Sequence, residues 1–468
     1  MVDTLSFKRL LLRCFNGNVP LKIMVALSGG VDSMCLTYLL SQYKSLFHPS
    51  LAIHAVTIDH GYRPGSEEEA AKVGRLVAKW GVDHLICRLH YDKNVEDISN
   101  FEEVARYMRY KTFQQKSQAL DIDALLVGHT LDDKLETYLQ RLQMNSTIFG
   151  LDGLKDKSQF PLPPTSPLHH LNVYRPLLPF EKFQLQETCR EGGVEWFEDH
   201  TNMDRWLTKR NMFRYLLNHY IPGHVHSRPK LAVISKSALL QTTKLIDSVL
   251  NQLHEKVLAL DNYVTNYGGF EFLEDRALIK FSVPIDFWSN VHSLVASRWL
   301  YNLIYSISSA QHFHWSYAKI ERAMIPRLNK FIVEELDKTS MTYLNVLFTI
   351  EKRNGTLNFA ISKQPPIRDT IPDLCHSLVA TTTFSPWILY DKTWWMRIRD
   401  TQGTKVRIHP YTLKMRKSLQ KAFPNLRNLP QGNATVPVIT NELCGDILAL
   451  PTFGLVRENL EVECILKK

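Results

Sequence analysis

The sequence predicts an α/β protein: a doubly wound parallel-sheet domain, then a helical region, then a small, mostly β C-terminal domain. Three observations carry this. Short apolar runs alternate with helix-length amphipathic segments from Lys22 to about Asn218. Glycine-rich and acidic motifs fall at the carboxyl ends of those runs, where open α/β sheets bind ligands. The pattern changes after Pro222, with helical spacing over residues 233–260 and 286–326 and β-rich spacing to about Ser362.

In chain order, strands are predicted at Ile23–Leu27, Ile53–Asp59, His84–Arg88, Ala124–Gly128 and Val173–Tyr174. Helices are predicted at Asp32–Gln42, Ser66–Trp80, Phe101–Gln118, Asp132–Leu142 and Glu181–Glu191. Residues Gln159–Pro176 hold five prolines and read as a long surface insertion that cannot be helical. Pro365–Pro372 reads as a linker and Trp387–Lys468 as a compact β domain. The resulting division is 1–222, 223–330 (mainly helical), 331–386 (β-containing, with the linker) and 387–468. The first twenty residues mix Lys8, Arg9 and Arg13 with leucines, which suits either an organelle transit segment or a docked helix.

Composition bounds the class. The 468 residues are 44% hydrophobic and 22% charged, ordinary globular usage, and no apolar run is long enough to suggest a membrane span. Seven scattered cysteines without a Cys-x-x-Cys pair argue against a disulfide framework or a structural zinc site. The net charge is +9, and residues 392–421, with nine Lys/Arg against one Asp, carry eight of it. A solvated basic face is the plain explanation; interleaved Trp394, Trp395 and Tyr411 favour a surface that meets nucleic-acid phosphates.

Four motifs carry the chemistry. The first strand runs into Ser28-Gly29-Gly30-Val31-Asp32-Ser33 and then a helix. Such a turn exposes backbone N–H groups to a phosphate, the helix end adds positive potential, and Asp32 is a candidate Mg²⁺ ligand. After the second strand come Asp59, His60 and Arg63; near Phe101 stand Glu102, Arg106 and Arg109. The arginines either face a site or pair with Glu102 or Glu103 on their own helix. After the fourth strand, His129 precedes Asp132, Asp133 and Glu136 at a helix start, where capping and catalysis both use acids. The last motif runs Val194-Glu195-Trp196-Phe197-Glu198-Asp199, then Thr201, Asn202 and Asp204, with Arg205, Lys209, Arg210, Asn211 and Arg214 behind it.

The first loop resembles the ATP pyrophosphatase, or PP-loop, signature, with no lysine after the glycines. The four motifs together resemble the tRNA(Ile)-lysidine synthetases over roughly Lys22–Pro222. The tail around Met396–Arg399, Gly403, Lys414–Lys421 and Leu448–Gly454 is similar to that family's C-terminal domain, although Gly403-Thr404-Lys405 and Leu142 depart from its pattern. The resemblance implies ATP and Mg²⁺ as cofactors and cleavage between the α and β phosphates. It implies free L-lysine and an isoleucine tRNA with a CAU anticodon as substrates, with no membrane partner; a homodimer is an open expectation. Carried over, Ser28–Ser33, Asp59 and His60 bind ATP, and Asp32, Asp132, Asp133 and Glu136 are catalytic. Arg63, Glu102, Arg106, Arg109, His129, Arg205, Arg210, Asn211, Arg214, Lys414, Arg416 and Lys417 contact substrate or tRNA. The expected compartment is the mitochondrion for a eukaryotic source and the cytoplasm for a bacterial one. Two rivals stand beside it: a tRNA thiolase of the same fold, which would want paired cysteines, and a tRNA-binding protein with a dead nucleotide fold.

Overall fold

The computed structural model describes residues 1–61, 65–91, 100–198, 206, 208–310, 316–424, 435–457 and 459–467. Arg63, Arg205 and the Asp199–Asp204 part of the fourth motif lie outside them. The chain forms two compact units, Met1–Pro164 with His169–Leu250, and Thr165–Leu168 with Asn251–Lys468.

The first unit opens with α1 (Thr4–Cys14), whose N-terminus is capped by Asp3 Oδ1, accepting from the amides of Leu5 and Ser6 at 3.0 and 2.9 Å. Such a cap is worth about 1 kcal/mol. Phe7, Leu11 and Cys14 bury one face of this helix. There follow β1 (Lys22–Ala26), α2 (Val31–Phe47), β2 (Ala52–Asp59), α3 (Ser66–Ala78), β3 (Asp83–Arg88), α4 (Phe101–Leu120), β4 (Ala124–Leu126) and α5 (Leu131–Gln143). Next come β5 (Lys157–Gln159), β6 (Asn172–Tyr174), α6 (Lys182–Glu191), α7 (Lys209–Tyr215) and, through a π turn over Leu216–Tyr220, α8 (Ile221–His224).

The sheet order is β3-β2-β1-β4-β6-β5, parallel except for β5 against β6. In β1, Ile23, Met24 and Val25 are fully buried, as a central strand covered on both faces requires. Strand order reverses direction on either side of β1, so the crevice for a ligand opens above the ends of β1 and β4. The proline-rich insertion is less loose than its composition suggests. Its ends pair as β5 and β6, Phe160 and Leu171 are buried, and Gln114 Nε2 donates to the Pro163 carbonyl at 2.6 Å.

The long helix α9 (Lys236–Tyr267) contains the boundary between the units. The second unit continues with β7 (Glu271–Leu273), β8 (Leu278–Pro284), α10 (Ile285–Ser289), α11 (Ser293–Leu303), α12 (Ser316–Lys319) and α13 (Ile325–Val333). Then come β9 (Lys338–Tyr343), β10 (Val346–Arg353), β11 (Thr356–Lys363), β12 (His376–Val379), β13 (Ile388–Tyr390), β14 (Trp394–Asp400) and β15 (Lys405–Pro410). The unit ends with α14 (Arg416–Ala422), β16 (Pro437–Asn441), β17 (Ile447–Leu450), β18 (Leu455–Val456) and β19 (Leu460–Leu466).

Two strands therefore lie inside the segment expected to be helical, and β8 pairs with β11 over its whole length. Burial alternates along β8 with a period of two, which is what sets it in a half-covered sheet. The sheets are β7-β8-β11-β10-β9, β12-β15-β16-β17-β18 and β13-β14-β19. One apolar cluster runs from Val257 to Leu466, so a single core spans both sides of positions 330 and 386. Trp394, Trp395 and Tyr411 are each at most 3% exposed. This corrects their reading as part of a surface that meets nucleic-acid phosphates: they are core side chains of β14 and of a smaller cluster with Leu419 and Val438. Among the described residues no helix is long and apolar enough to cross a membrane.

Candidate active site

The phosphate loop follows β1 directly. Gly29 sits at φ +81°, a conformation open to glycine at little cost, and a Cβ there would come within 2.9 Å of Val73. Gly30 caps α2 without any side-chain hydrogen bond, which leaves the first amides of that helix to a ligand. Ser33 Oγ holds the loop shut: it accepts from Ser28 N at 3.1 Å, donates to the Gly30 carbonyl at 3.0 Å and meets Ser28 Oγ at 3.1 Å. Phe197 N donates to the Gly29 carbonyl at 2.9 Å, so the last motif braces the first. Val31 begins α2, and its carbonyl is met by Cys189 Sγ at 3.9 Å.

Asp32 fits a magnesium ligand. Its Oδ1 is buried without a hydrogen-bond partner, and burial pushes the carboxyl up to about 7 despite nearby Lys182. Among the described residues no three His, Cys, Asp or Glu side chains cluster as a metal site. Mg²⁺ commonly takes one or two carboxylates and completes its shell with phosphate oxygens and water, so a single carboxylate beside a phosphate loop suits it.

Asp59 ends β2 and is 4% exposed; it accepts from Gly61 N at 2.9 Å and Ser66 Oγ at 2.7 Å. Burial alone would raise its carboxyl, but those hydrogen bonds and the Arg88 charge hold it below the usual range. His60 Nδ1 meets Tyr91 Oη at 2.8 Å, and burial with nearby Arg109 lowers the imidazole. On α4, Arg106 and Arg109 lie over the Tyr110 ring at 5.1 and 5.6 Å. Among the described residues neither pairs with Glu102 or Glu103, both of which are exposed.

The loop after β4 lies against the phosphate loop. A Cβ on Gly128 would stand 2.7 Å from the Asp32 carbonyl oxygen and 3.0 Å from Ser33 N. Thr130 then forms a capping box with Asp133, whose Oδ2 accepts from Thr130 N at 2.8 Å and Oγ1 at 3.0 Å. Asp133 Oδ1 pairs with Arg210. Glu136, with 1% of its side chain exposed, accepts from Arg210 Nε at 2.8 Å and from Arg214 Nε and Nη2 at 2.9 and 3.2 Å. Burial opposes ionisation of Asp133, but Arg210, His129 and the Thr130 hydrogen bonds hold its carboxyl below the ordinary range.

The three acids thus separate. Asp133 and Glu136 face the arginines of α7, whereas Asp132 turns to accept from Lys182 N at 2.8 Å and Lys236 Nζ at 2.5 Å. Asn211 contributes an amide to the Thr208 cap at 3.1 Å. Lys414, Arg416 and Lys417 are exposed on α14 and the turn before it, in the second unit.

Two groups escaped the sequence reading. Arg175, at the carboxyl end of β6, is 8% exposed and donates to His129 Nδ1 at 3.0 Å. Its position just past an apolar strand was the available signal. Lys236 bridges Asp132 and Glu181, at 2.5 and 3.3 Å, but stands 104 residues from Asp132, and no local pattern marks it.

A family model described as a PP-loop domain matches residues 4–220, which hold all of this machinery except Lys236 and the distant basic cluster. The chain is 24% identical over 464 residues, covering 95% of itself and 94% of the relative, to a Schizosaccharomyces pombe protein named "Probable tRNA(Ile)-lysidine synthase". Residues 4–220 thus form a PP-loop domain, and the chain as a whole is similar to the tRNA(Ile)-lysidine synthases. Two bacterial members bear the same name. That of Thermosipho africanus is 30% identical over 57% of this chain and 55% of the relative. That of Bradyrhizobium is 33% identical over 40% of this chain and 49% of the relative. The chain therefore spans nearly all of the yeast protein and about half the length of these bacterial ones. The PP-loop domain together with these relatives supports an ATP-dependent ligase.

Proposed function

We propose that the chain joins free L-lysine to the wobble cytidine of an isoleucine tRNA bearing a CAU anticodon. The observation that carries the reading is one crevice with two halves. On one side is a phosphate loop with an uncapped helix N-terminus. On the other are two carboxylates held ready by arginines, Asp133 and Glu136.

ATP first adenylates the ring carbonyl oxygen of the cytidine: a bond forms to the α phosphorus and the bond to the β-phosphate oxygen breaks. Gly29–Ser33 receives the departing pyrophosphate through backbone N–H groups at the start of α2. Asp32 would hold Mg²⁺, which when bound offsets phosphate charge. The lysine ε-amine then attacks the activated ring carbon, and AMP leaves. That amine has a reference pKa near 10.4 and is neutral about one time in 2,500 at pH 7, so a carboxylate must take its proton. Asp133 is the better placed: 13% of its side chain is exposed, against 1% for Glu136. Asp132 is committed to Lys182 and Lys236 and serves to join α5, α6 and α9.

Arg106, Arg109, Arg210 and Arg214 supply positive potential for the anticodon stem, and Lys414, Arg416 and Lys417 a second basic surface. Their arrangement supports a polyanionic substrate. The thiolase reading loses ground on the cysteines. Cys35 and Cys189 do meet, a pairing no spacing revealed, but both are 0% exposed, and their mutual hydrogen bond with burial pushes the Cys35 thiol far up. Such thiols are inert.

The deciding experiment is ATP-dependent transfer of labelled lysine to CAU-anticodon isoleucine tRNA, with elongator methionine tRNA as control. Selective transfer with AMP release supports the proposal. Nucleotide turnover with a different nucleophile would keep the fold and replace the substrate.

A further inference from the structure

We infer that Arg175 is a positioning residue that fixes the tautomer of His129 and thereby turns Nε2 of that ring into a hydrogen-bond donor for a substrate oxygen. A guanidinium only donates, so the ring nitrogen facing it must be the unprotonated acceptor. Arg175 Nε donates to His129 Nδ1 at 3.0 Å. A neutral imidazole then carries its proton on Nε2. Arg175 cannot turn away, because Nη1 also donates to the Lys155 carbonyl at 3.0 Å and to Ser158 Oγ at 2.9 Å, and the residue is 8% exposed. The ring is kept neutral by burial and by the surrounding Arg175, Arg210 and Arg106 charges, against the pull of Asp133.

His129 directly follows the segment packed against the phosphate loop. His129 follows Gly128, whose Cα lies against the main chain of Asp32 and Ser33, and half-buried His129 makes no protein hydrogen bond through Nε2 among the described residues. A neutral N–H there stabilises an oxygen that gains negative charge without adding another full positive charge beside Arg106, Arg109, Arg175, Arg210 and Arg214. The acceptor is a phosphoryl oxygen of ATP or a carbonyl oxygen of the tRNA base, both hydrogen-bond acceptors of the same kind.

The inference rests on the ligase reading for its activity readout, and on nothing but geometry for its spectroscopic one. In full-length protein labelled with ¹⁵N-histidine, the His129→Gln spectrum identifies the His129 signals. Wild type is expected to show Nδ1 unprotonated and Nε2 protonated throughout about pH 6 to 8; an Nδ1-protonated ring would overturn the inference. In the transfer assay, His129→Ala should lower kcat about 100-fold. Arg175→Met should lose about tenfold or more, and Arg175→Lys should recover part of it.

The discriminating step is the double variant. If Arg175 acts through His129, Arg175→Lys or Arg175→Met costs nothing further in the His129→Ala background. Additive losses would mean that Arg175 merely supports the β5–β6 edge. ATP affinity without tRNA separates the sources: weakened binding in His129→Ala assigns the acceptor to the nucleotide, and unchanged binding with reduced kcat assigns it to the tRNA. Should wild type transfer no lysine, the substrate proposal fails while the tautomer result still stands or falls alone.

Discussion

Asp133 and Glu136 stand three residues apart on one helix, yet their substitutions should read differently. Asp133→Asn keeps shape and part of the Thr130 cap, so lysine transfer should drop about 100-fold while tRNA affinity stays within about twofold. A large loss of tRNA binding would remove Asp133 from the amine's vicinity. Glu136→Gln instead leaves Arg210 and Arg214 without their shared carboxylate. With Arg210 41% exposed, the cost should be about 2 kcal/mol, below the value for a fully buried pair, and urea unfolding would measure it. The sequence placed both acids at a helix start and left capping and catalysis undecided. In the structure one Asp133 oxygen completes the cap and the other meets Arg210, so capping occupies only half of the carboxylate. Asp132 was less legible: its partner Lys236 lies in a distant helix, and tertiary pairing of that range leaves no spacing to read.

Among the elements, the alternating strands and helices of the first unit were readable because the central strands β1 and β4 are apolar on both faces and helices such as α3 and α5 bury one stripe. The second unit was not. β8 has only seven residues, half of them facing away from the core, and it takes its meaning from β11 some eighty residues later. Trp394 and Trp395 looked like a nucleic-acid surface because aromatic residues between basic ones signal either stacking or a strand core, and only pairing with β19 tells them apart. The basic stretch divides by the same logic. Arg397 and Arg399 are held by Glu463 and Glu461 on β19, whereas α14 exposes Arg416 and Lys417. Lys417→Glu should therefore weaken tRNA binding and lower the steepness of its salt dependence by about one or two ions, and Arg397→Ala should leave both nearly unchanged. Equal effects of the two in a salt titration would contradict that division. Between β4 and α5, Gly128→Ala should abolish nucleotide turnover, because its methyl meets backbone of the phosphate loop rather than a side chain that could move. Retained turnover would show that the two loops tolerate separation.

Across the whole molecule, stability should carry a signature of two buried lysines. Lys363 and Lys467 are each 3% exposed, and burial lowers them to about 8 and about 7; Asp391 partly offsets this for Lys363, at 2.7 Å. Unfolded, both titrate near 10.5, so between about pH 7 and 9 the unfolded chain binds more protons and folding gains stability as pH rises. Unfolding of the second unit should need more urea at pH 9 than at pH 7, and Lys467→Met should flatten that trend. A fall in stability over the same interval would show that these amines stay protonated in the folded chain. The strand order has a consequence in time as well. Val25 of β1 pairs with Leu126 of β4, about 100 residues later, whereas its other neighbour β2 follows within about 30. At roughly 5–20 residues per second of synthesis, one edge of β1 waits on the order of 5–20 s for its partner. The crevice cannot exist before β4 arrives, and until then the nascent chain carries a largely apolar strand with one edge of unpaired backbone N–H and C=O groups for a chaperone to hold.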